Sequence, residues 1–397
     1  MKFDAVVIGA GPAGTSAALA LAMQGRSVAI VERGEFPRRK VCGEFMSAVN
    51  MSVLDALGVG DRVKGLAGPE VTRVALFASG PGIEAPMPRA EGEAFGRALG
   101  RDVLDSVLLD AARAGGVTVL QPWKAVDIQR GSKASRVTIE TRQCSEELIA
   151  PVVIAAHGSW EQGKLPTNLG KQHGPKDFLG FKAHFRNASL GLGVMPLLVF
   201  PGGYGGMVWA DGGRLSLSCC IRRDRLDALR RDHPGMSAAE TVHRHILSSC
   251  PAAFDVLGKA TLEDQWLAAG PIRPGIRQQY DGDVFRVGNL AGESHPIIAE
   301  GISMALQSGW MLAQELSASR SWDEADRAAA GRRYSHRWRR QFSTRIRLAS
   351  VLAGLAISPR TASVMRAVVG AFPPALSLGA ALSGKTRVLA PAVARDR

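Results

Sequence analysis

Within its first 33 residues, MKFDAVVIGAGPAGTSAALALAMQGRSVAIVERG, the chain sets out a strand, a glycine turn, a helix and a second strand. The apolar run Ala5 to Ile8 stops at Gly9-Ala10-Gly11-Pro12-Ala13-Gly14, and an Ala/Leu-rich helical pattern follows. A second apolar run, Ser27 to Val31, stops at Glu32. The glycines fall at the three places a dinucleotide needs them. Gly9 allows the tight turn, Gly11 lets backbone approach a pyrophosphate, and Gly14 lets the helix pack closely on the strand. The helix that opens at Pro12 and Ala13 offers free N–H groups and the positive end of its dipole to that pyrophosphate. Glu32, followed by Arg33, stands where a carboxylate accepts hydrogen bonds from an adenosine ribose. The fold class is therefore α/β, built on a Rossmann-type domain.

A second informative stretch, DVFRVGNLAGESHPIIAEGISMALQ, runs from Asp283 to Gln307. It reads as a strand (Val284 to Val287), a loop with Pro296, and an amphipathic helix that starts at Gly301 and covers Ile302 to Leu316. The pattern resembles the second flavin-contact motif of FAD-dependent monooxygenases and geranylgeranyl reductases, the superfamily of the para-hydroxybenzoate hydroxylase fold. That resemblance implies FAD as cofactor, with contacts from Gly288, Asn289, Gly301 and Ile302. The family's usual Asp is Asn289 here; Asn still hydrogen-bonds a ribityl hydroxyl but brings no charge. A helix N-terminus facing the flavin N1 suits the negative charge of the reduced ring.

Three shorter matches follow the family order. FPRRKVCGE (Phe36 to Glu44) resembles the reductase segment that puts a Cys-Gly pair near the flavin ring, which implicates Arg39, Lys40, Val41 and Cys42. RALGRDVLDSVLL (Arg97 to Leu109) resembles the family helix whose arginine touches the cofactor, with Arg101 as the match. PVVIAAHGS (Pro151 to Ser159) resembles the strand that ends in Asp-Gly, with His157-Gly158 in its place. The family's Asp is linked to NADPH use, so NAD(P)H as electron donor stays open; no second GxGxxG unit follows a strand.

Organisation follows from the same pattern. The resemblance implies a discontinuous FAD-binding domain (1–70, 96–165, 270–320), an inserted antiparallel-sheet substrate domain (71–95, 166–269) and a C-terminal helical region (321–397). Strand-like runs at Val71 to Phe77, Leu179 to Phe185, Val194 to Phe200, Met207 to Ala210 and Leu215 to Ile221 agree, with a helix at Ser237 to Ser248. The tail is mostly helical, broken at Pro359 and Pro373-Pro374. Five cysteines form no CxxC or zinc spacing, which predicts free thiols and a reducing compartment. No metal site is expected. The N-terminal apolar run ends in the nucleotide turn, so it is not read as a cleaved signal, and the expected location is cytoplasmic.

The net charge of +13 is uneven: residues 331–397 hold thirteen arginines and lysines against one acid, Asp396. In YSHRWRRQFSTRIRLASVLAGLAI, Trp338, Phe342, Ile346, Ala349 and Ala353 share one helical face amid arginines. Three readings stay open for it. The helix packs on the FAD domain, lies on the inner face of an anionic membrane, or docks an acidic carrier protein. Nucleic acid is not expected, because the charge is not interleaved with stacking aromatics.

For chemistry, the candidates are Cys42, Glu44, Glu300, His295 and Pro296. His295 reads equally as a site residue or a structural loop histidine, and Glu44 and Glu300 as proton-transfer groups or solvated acids. The favoured function is a monooxygenase acting through a flavin C4a-hydroperoxide, because the Pro296 loop resembles the one beside that position in hydroxylases. The alternative is a reductase of C=C bonds, supported by Cys42-Gly43; a third is a non-catalytic prenyl- or lipid-binding chaperone of the same fold. Phe178, Phe181, Phe185, Phe200, Tyr204, Trp209 and Trp266 suggest a pocket for a lipophilic or aromatic substrate, such as a polyketide, phenolic or isoprenoid.

Overall fold

The structure is a computed structural model that describes residues 1–89, 95–160, 163–170, 173–282, 284–319 and 321–385. Arg387, Arg395, Asp396 and Arg397 of the basic tail lie outside the described residues. Two sheets and a helical tail enclose one large cavity.

The first sheet has six strands, in the order Tyr280–Asp281, Val284–Arg286, Val152–Ala155, β1 (Ala5–Ile8), β2 (Val28–Val31) and Thr118–Leu120. All neighbours are parallel except the first pair. Every residue of β1, β2 and Val152–Ala155 is buried, because both faces of this sheet are covered. Helices α1 (Pro12–Ala22), α2 (Arg101–Ala114) and α3 (Gly301–Ser317) lie over one face. A three-stranded antiparallel sheet, Lys124–Gln129, Ser135–Glu140 and Ser145–Ala150, covers the other. Two glycines set the spacing. A Cβ on Gly14 would stand 2.0 Å from the Gly9 carbonyl oxygen, and one on Gly309 of α3 would stand 2.3 Å from that of Ala13. The starts of α1 and α3 are thus held side by side.

The second sheet has eight strands. Its centre is β3 (Arg73–Phe77), β4 (Phe178–Arg186), β5 (Val194–Phe200), β6 (Gly203–Trp209) and β7 (Leu215–Arg222), ordered β4-β7-β6-β5-β3. It is antiparallel except where β5 meets β3 in parallel, since the chain returns to this sheet after crossing the first one. β6 starts four residues before the expected strand. Its glycines are not turn residues: a Cβ on Gly203 or Gly205 would meet backbone oxygens of β7 at 2.5 and 2.6 Å. Helix Ala238–Ser249 begins at a capping box of Ser237 and Glu240. Helices Arg223–Asp232 and Pro251–Leu257, absent from the sequence reading, join it over one face of the sheet.

The tail forms α4 (Glu324–Ile357), α5 (Pro359–Ala371) and α6 (Pro374–Ala380), with breaks at the expected prolines. Trp338, Phe342, Ile346, Ala349 and Ala353 are buried, the first three within the core of the flavin domain. That face is therefore not available to a membrane or a carrier. Among the described residues no single helix is long and apolar enough to cross a membrane.

Candidate flavin and substrate site

The cavity measures about 820 Å³ and lies between the two sheets and the tail helices. One end is polar. Gly9, Gly11, Pro12 and Ala13 line it at the start of α1, with Glu32, Arg33, Arg38, Lys40 and Arg101 around them. Gly9 takes φ +106, and a Cβ there would press on Ala156 and His157 backbone within 2.8 Å. A Cβ on Gly11 would instead point into the cavity, with only Arg101 Nη2, 3.7 Å away, within contact range. No side chain caps the N-terminus of α1, and its first turn holds no acid. Its N–H groups are left for an anion.

Glu32 is 4% exposed and fixed. Oε2 accepts from Ala10 N–H at 2.9 Å and pairs with Arg38 at 2.9 Å, while Oε1 accepts from Gly34 N–H at 2.8 Å. Four lone-pair sites serve three donors, which leaves capacity for a ribose hydroxyl. Arg101 is locked by Asp105 through two bonds of 2.6 and 2.7 Å. Burial, then the charges of Arg38 and Arg101, lower the Lys40 pKa to about 8. Arg38 Nε is buried without a partner. A glycine-floored helix start, a fixed carboxylate and a ring of cations with spare donors fit the FAD that the fold implies. Gly9, Gly11 and Glu32 would hold its nucleotide half, with Lys40 and Arg101 about the phosphates. A testable consequence concerns pH. In the free protein Lys40 loses its proton above about 8, so it must regain one to face a pyrophosphate. FAD affinity of stripped protein, measured by calorimetric titration, should fall above that pH by at most about tenfold per unit. Lys40→Met should remove that slope.

The remaining expected contacts divide. Val41, Cys42, His157, Gly158, Gly288, Asn289, Pro296, Gly301 and Ile302 also line the cavity. Burial lowers the His157 pKa to about 4, so the ring is neutral where the family carries an acid; it sits 2.8 Å from the Thr167 hydroxyl. Asn289 donates to Glu293 at 3.1 Å, a cavity-lining carboxylate that sequence reasoning passed over. Arg39 does not line the cavity. Residues 38–40 lie in the loop after β2, and there Arg39 turns to Asp264 at 3.3 Å. His295 does not line it either: its Nδ1 is 2.9 Å from the Tyr204 hydroxyl and its ring packs edge-on against Phe178. Glu300 is fully buried outside the cavity wall, with Ser47 donating to it at 3.4 Å.

Glu44 lines the cavity in a setting that sequence alone did not reveal. It is 1% exposed, at φ +62, and its carboxylate meets Lys182 Nζ and His184 Nε2, the latter at 2.8 Å; both partners are fully buried. Oε1 also accepts from Arg101 N–H at 3.1 Å. Burial alone would raise its pKa, but the His184 hydrogen bond and the Lys182 charge hold it well below the usual carboxylate range. Glu44 is thus an anion at neutral pH and buried rather than solvated. Beside it, Cys42 Sγ accepts from Glu44 N–H at 3.4 Å and lies against the Arg101 guanidinium.

The other end of the cavity is mainly aliphatic, with Phe45, Trp160 and Tyr204 packed among the aliphatic residues. Val74, Met195, Leu197, Met207 and Val208 face Leu352, Met365, Val368, Val369 and Leu376 from the tail. Of the seven aromatics proposed for a pocket only Tyr204 lines it. Phe181, Phe185 and Phe200 point to the opposite face of the sheet and form its core with the 223–257 helices. Trp209 and Trp266 pack against that core.

Comparison with known proteins agrees with this geometry. Residues 2–327 match the family described as FAD binding domain, and the chain belongs to it, within the superfamily that joins FAD-dependent monooxygenases to geranylgeranyl reductases. It is a flavoprotein oxidoreductase by family. It is 26% identical over 369 residues to conditioned medium factor receptor 1 of Dictyostelium discoideum, covering 86% of this chain and 68% of that one. It is 26% identical over 356 residues to digeranylgeranylglycerophospholipid reductase 2 of Methanopyrus kandleri, covering 86% and 83%. Among solved structures, the myxobacterial FAD-dependent halogenase CndH superposes with a TM-score of 0.76 over 96% of this chain and 91% of that one. At 18% identity this is a likeness of fold.

Proposed function

We propose that this protein is an FAD-dependent reductase of carbon–carbon double bonds in a long aliphatic, isoprenoid-type substrate. The observation that carries the reading is the cavity itself. A thiol, Cys42, sits on its wall beside Arg101, and its far end is walled mainly by aliphatic side chains, with Phe45, Trp160 and Tyr204 among them. The reductase from Methanopyrus kandleri, similar over most of the chain, supports it. Bound FAD, once reduced by its electron donor, would supply a hydride to one alkene carbon, and the other carbon needs a proton. We assign this proton to the Cys42 thiol, with Arg101 placed to balance the charge left on sulfur until solvent restores the proton. The aliphatic end orients the chain and excludes water.

The monooxygenase is the second reading, and the observation in its favour is that Pro296 lines the cavity as the hydroxylase resemblance requires. One experiment separates the two without settling the electron donor, NAD(P)H or another. The protein is photoreduced anaerobically and mixed with a dispersed digeranylgeranylglycerophospholipid. Flavin reoxidation that follows lipid concentration without oxygen supports the reductase. Reoxidation only on admitting oxygen, with an oxygen atom entering the lipid, supports the monooxygenase. Under the first reading Cys42→Ser should slow the oxygen-free step by about tenfold or more while retaining flavin.

A further inference from the structure

Seven of the fourteen exposed large hydrophobic side chains among the described residues fall between Val351 and Leu382. They form stripes one helical turn apart. Val351 and Leu355 end α4, at 60% and 40% exposed; Val364 and Val368 run along α5 at 64% and 55%, with Phe372 just past its end at 58%; Leu378 and Leu382 follow at 59% and 58%. Three of these, Leu355, Val364 and Val368, also line the cavity. A side chain that both faces the cavity and stands in solvent marks its mouth, so the mouth opens within the apolar surface. The exposed Arg347 and Arg360 flank the stripes, and no acid occurs between Asp326 and Asp396. α4 and α5 meet at 104°, which bends the tail into a hook.

We infer that the outer face of the α4 end, α5 and α6 docks on an anionic lipid bilayer and opens the cavity directly to it. An apolar surface of this extent normally marks an interaction site. Basic residues around exposed apolar side chains suit an anionic interface, where both attractions act together. An acidic protein partner would answer the arginines but would leave a cavity mouth of valines and leucines facing a polar domain. The inference rests on the reading of a lipophilic substrate, which would pass from acyl chains into the cavity without crossing water.

The test measures binding rather than turnover, so it stands apart from the reaction assay. Full-length FAD-loaded protein is floated with vesicles of phosphatidylglycerol and phosphatidylcholine, or of phosphatidylcholine alone. Binding to the anionic vesicles is expected, weakened by salt. The exposed, non-lining triple variant Phe372→Glu/Leu378→Glu/Leu382→Glu should bind at least about tenfold more weakly with unchanged flavin content. Equal binding of variant and parent, or no vesicle binding with capture of an acidic carrier protein instead, overturns the inference.

Discussion

Gly11→Val should yield a folded, colourless protein. Gly11 has ordinary extended angles (φ −73, ψ 176), so valine strains no backbone there. Within 4 Å of its Cβ position lies only Arg101 Nη2, so no packed atom is displaced. The added methyls would instead occupy the space over the first turn of α1 where a pyrophosphate must sit. Losing two such charge-assisted hydrogen bonds costs about 3–6 kcal/mol, a fall of more than about a hundredfold in FAD affinity. Flavin absorbance of the purified variant, with melting of the stripped proteins as the folding control, reads the result. Gly14→Val is the contrast. Its Cβ would collide with the Gly9 carbonyl at 2.0 Å, so it should fail by misfolding. A yellow Gly11→Val protein would disprove the assignment of the polar end.

The second large effect lies at Lys182. Lys182→Met should destabilise the fold by about 3–5 kcal/mol, because it leaves a buried carboxylate without its main counter-charge. Adding Glu44→Gln should recover much of that loss, since no uncompensated charge then remains. Denaturant unfolding of the two variants and the parent measures both. The pH dependence has a definite sign. The folded Glu44 pKa is depressed, so its contribution is complete above the ordinary carboxylate range and fades as pH falls below it. In Lys182→Met this acid sensitivity should shrink. A loss under about 1 kcal/mol in the single variant would show that Lys182 does not secure Glu44. The triad also explains how a non-glycine residue persists at φ +62: three surrounding contacts over-determine it.

The polar end of the cavity was largely legible in the sequence, because its physics is local. A turn, a helix start and a strand-end acid within 33 residues each carry their own signature. The second motif was legible for the same reason, down to the helix that begins at Gly301. What was missed depends on contacts between distant segments. Lys182 and His184 sit two apart in FLGFKAHFR, and that alternation was the available signal for a polar pair on one strand face. Nothing local says that the face meets Glu44. Arg38 escaped notice beside Arg39 because nothing local says which of two adjacent loop arginines reaches Glu32 and which reaches Asp264. The aromatics misled because a strand face packed on helices and one facing a ligand have the same composition. The aliphatic wall was invisible, since it exists only when residues 352–383 fold back over strands met some 150 residues earlier.

That last arrangement has a consequence for how the protein is made. Helix α4 belongs to two structures at once: its first half completes the core of the flavin domain, and its last turns begin the wall of the aliphatic end. Neither compartment is therefore finished until the chain past α3 has been made, and one helix ties the cofactor end to the substrate end.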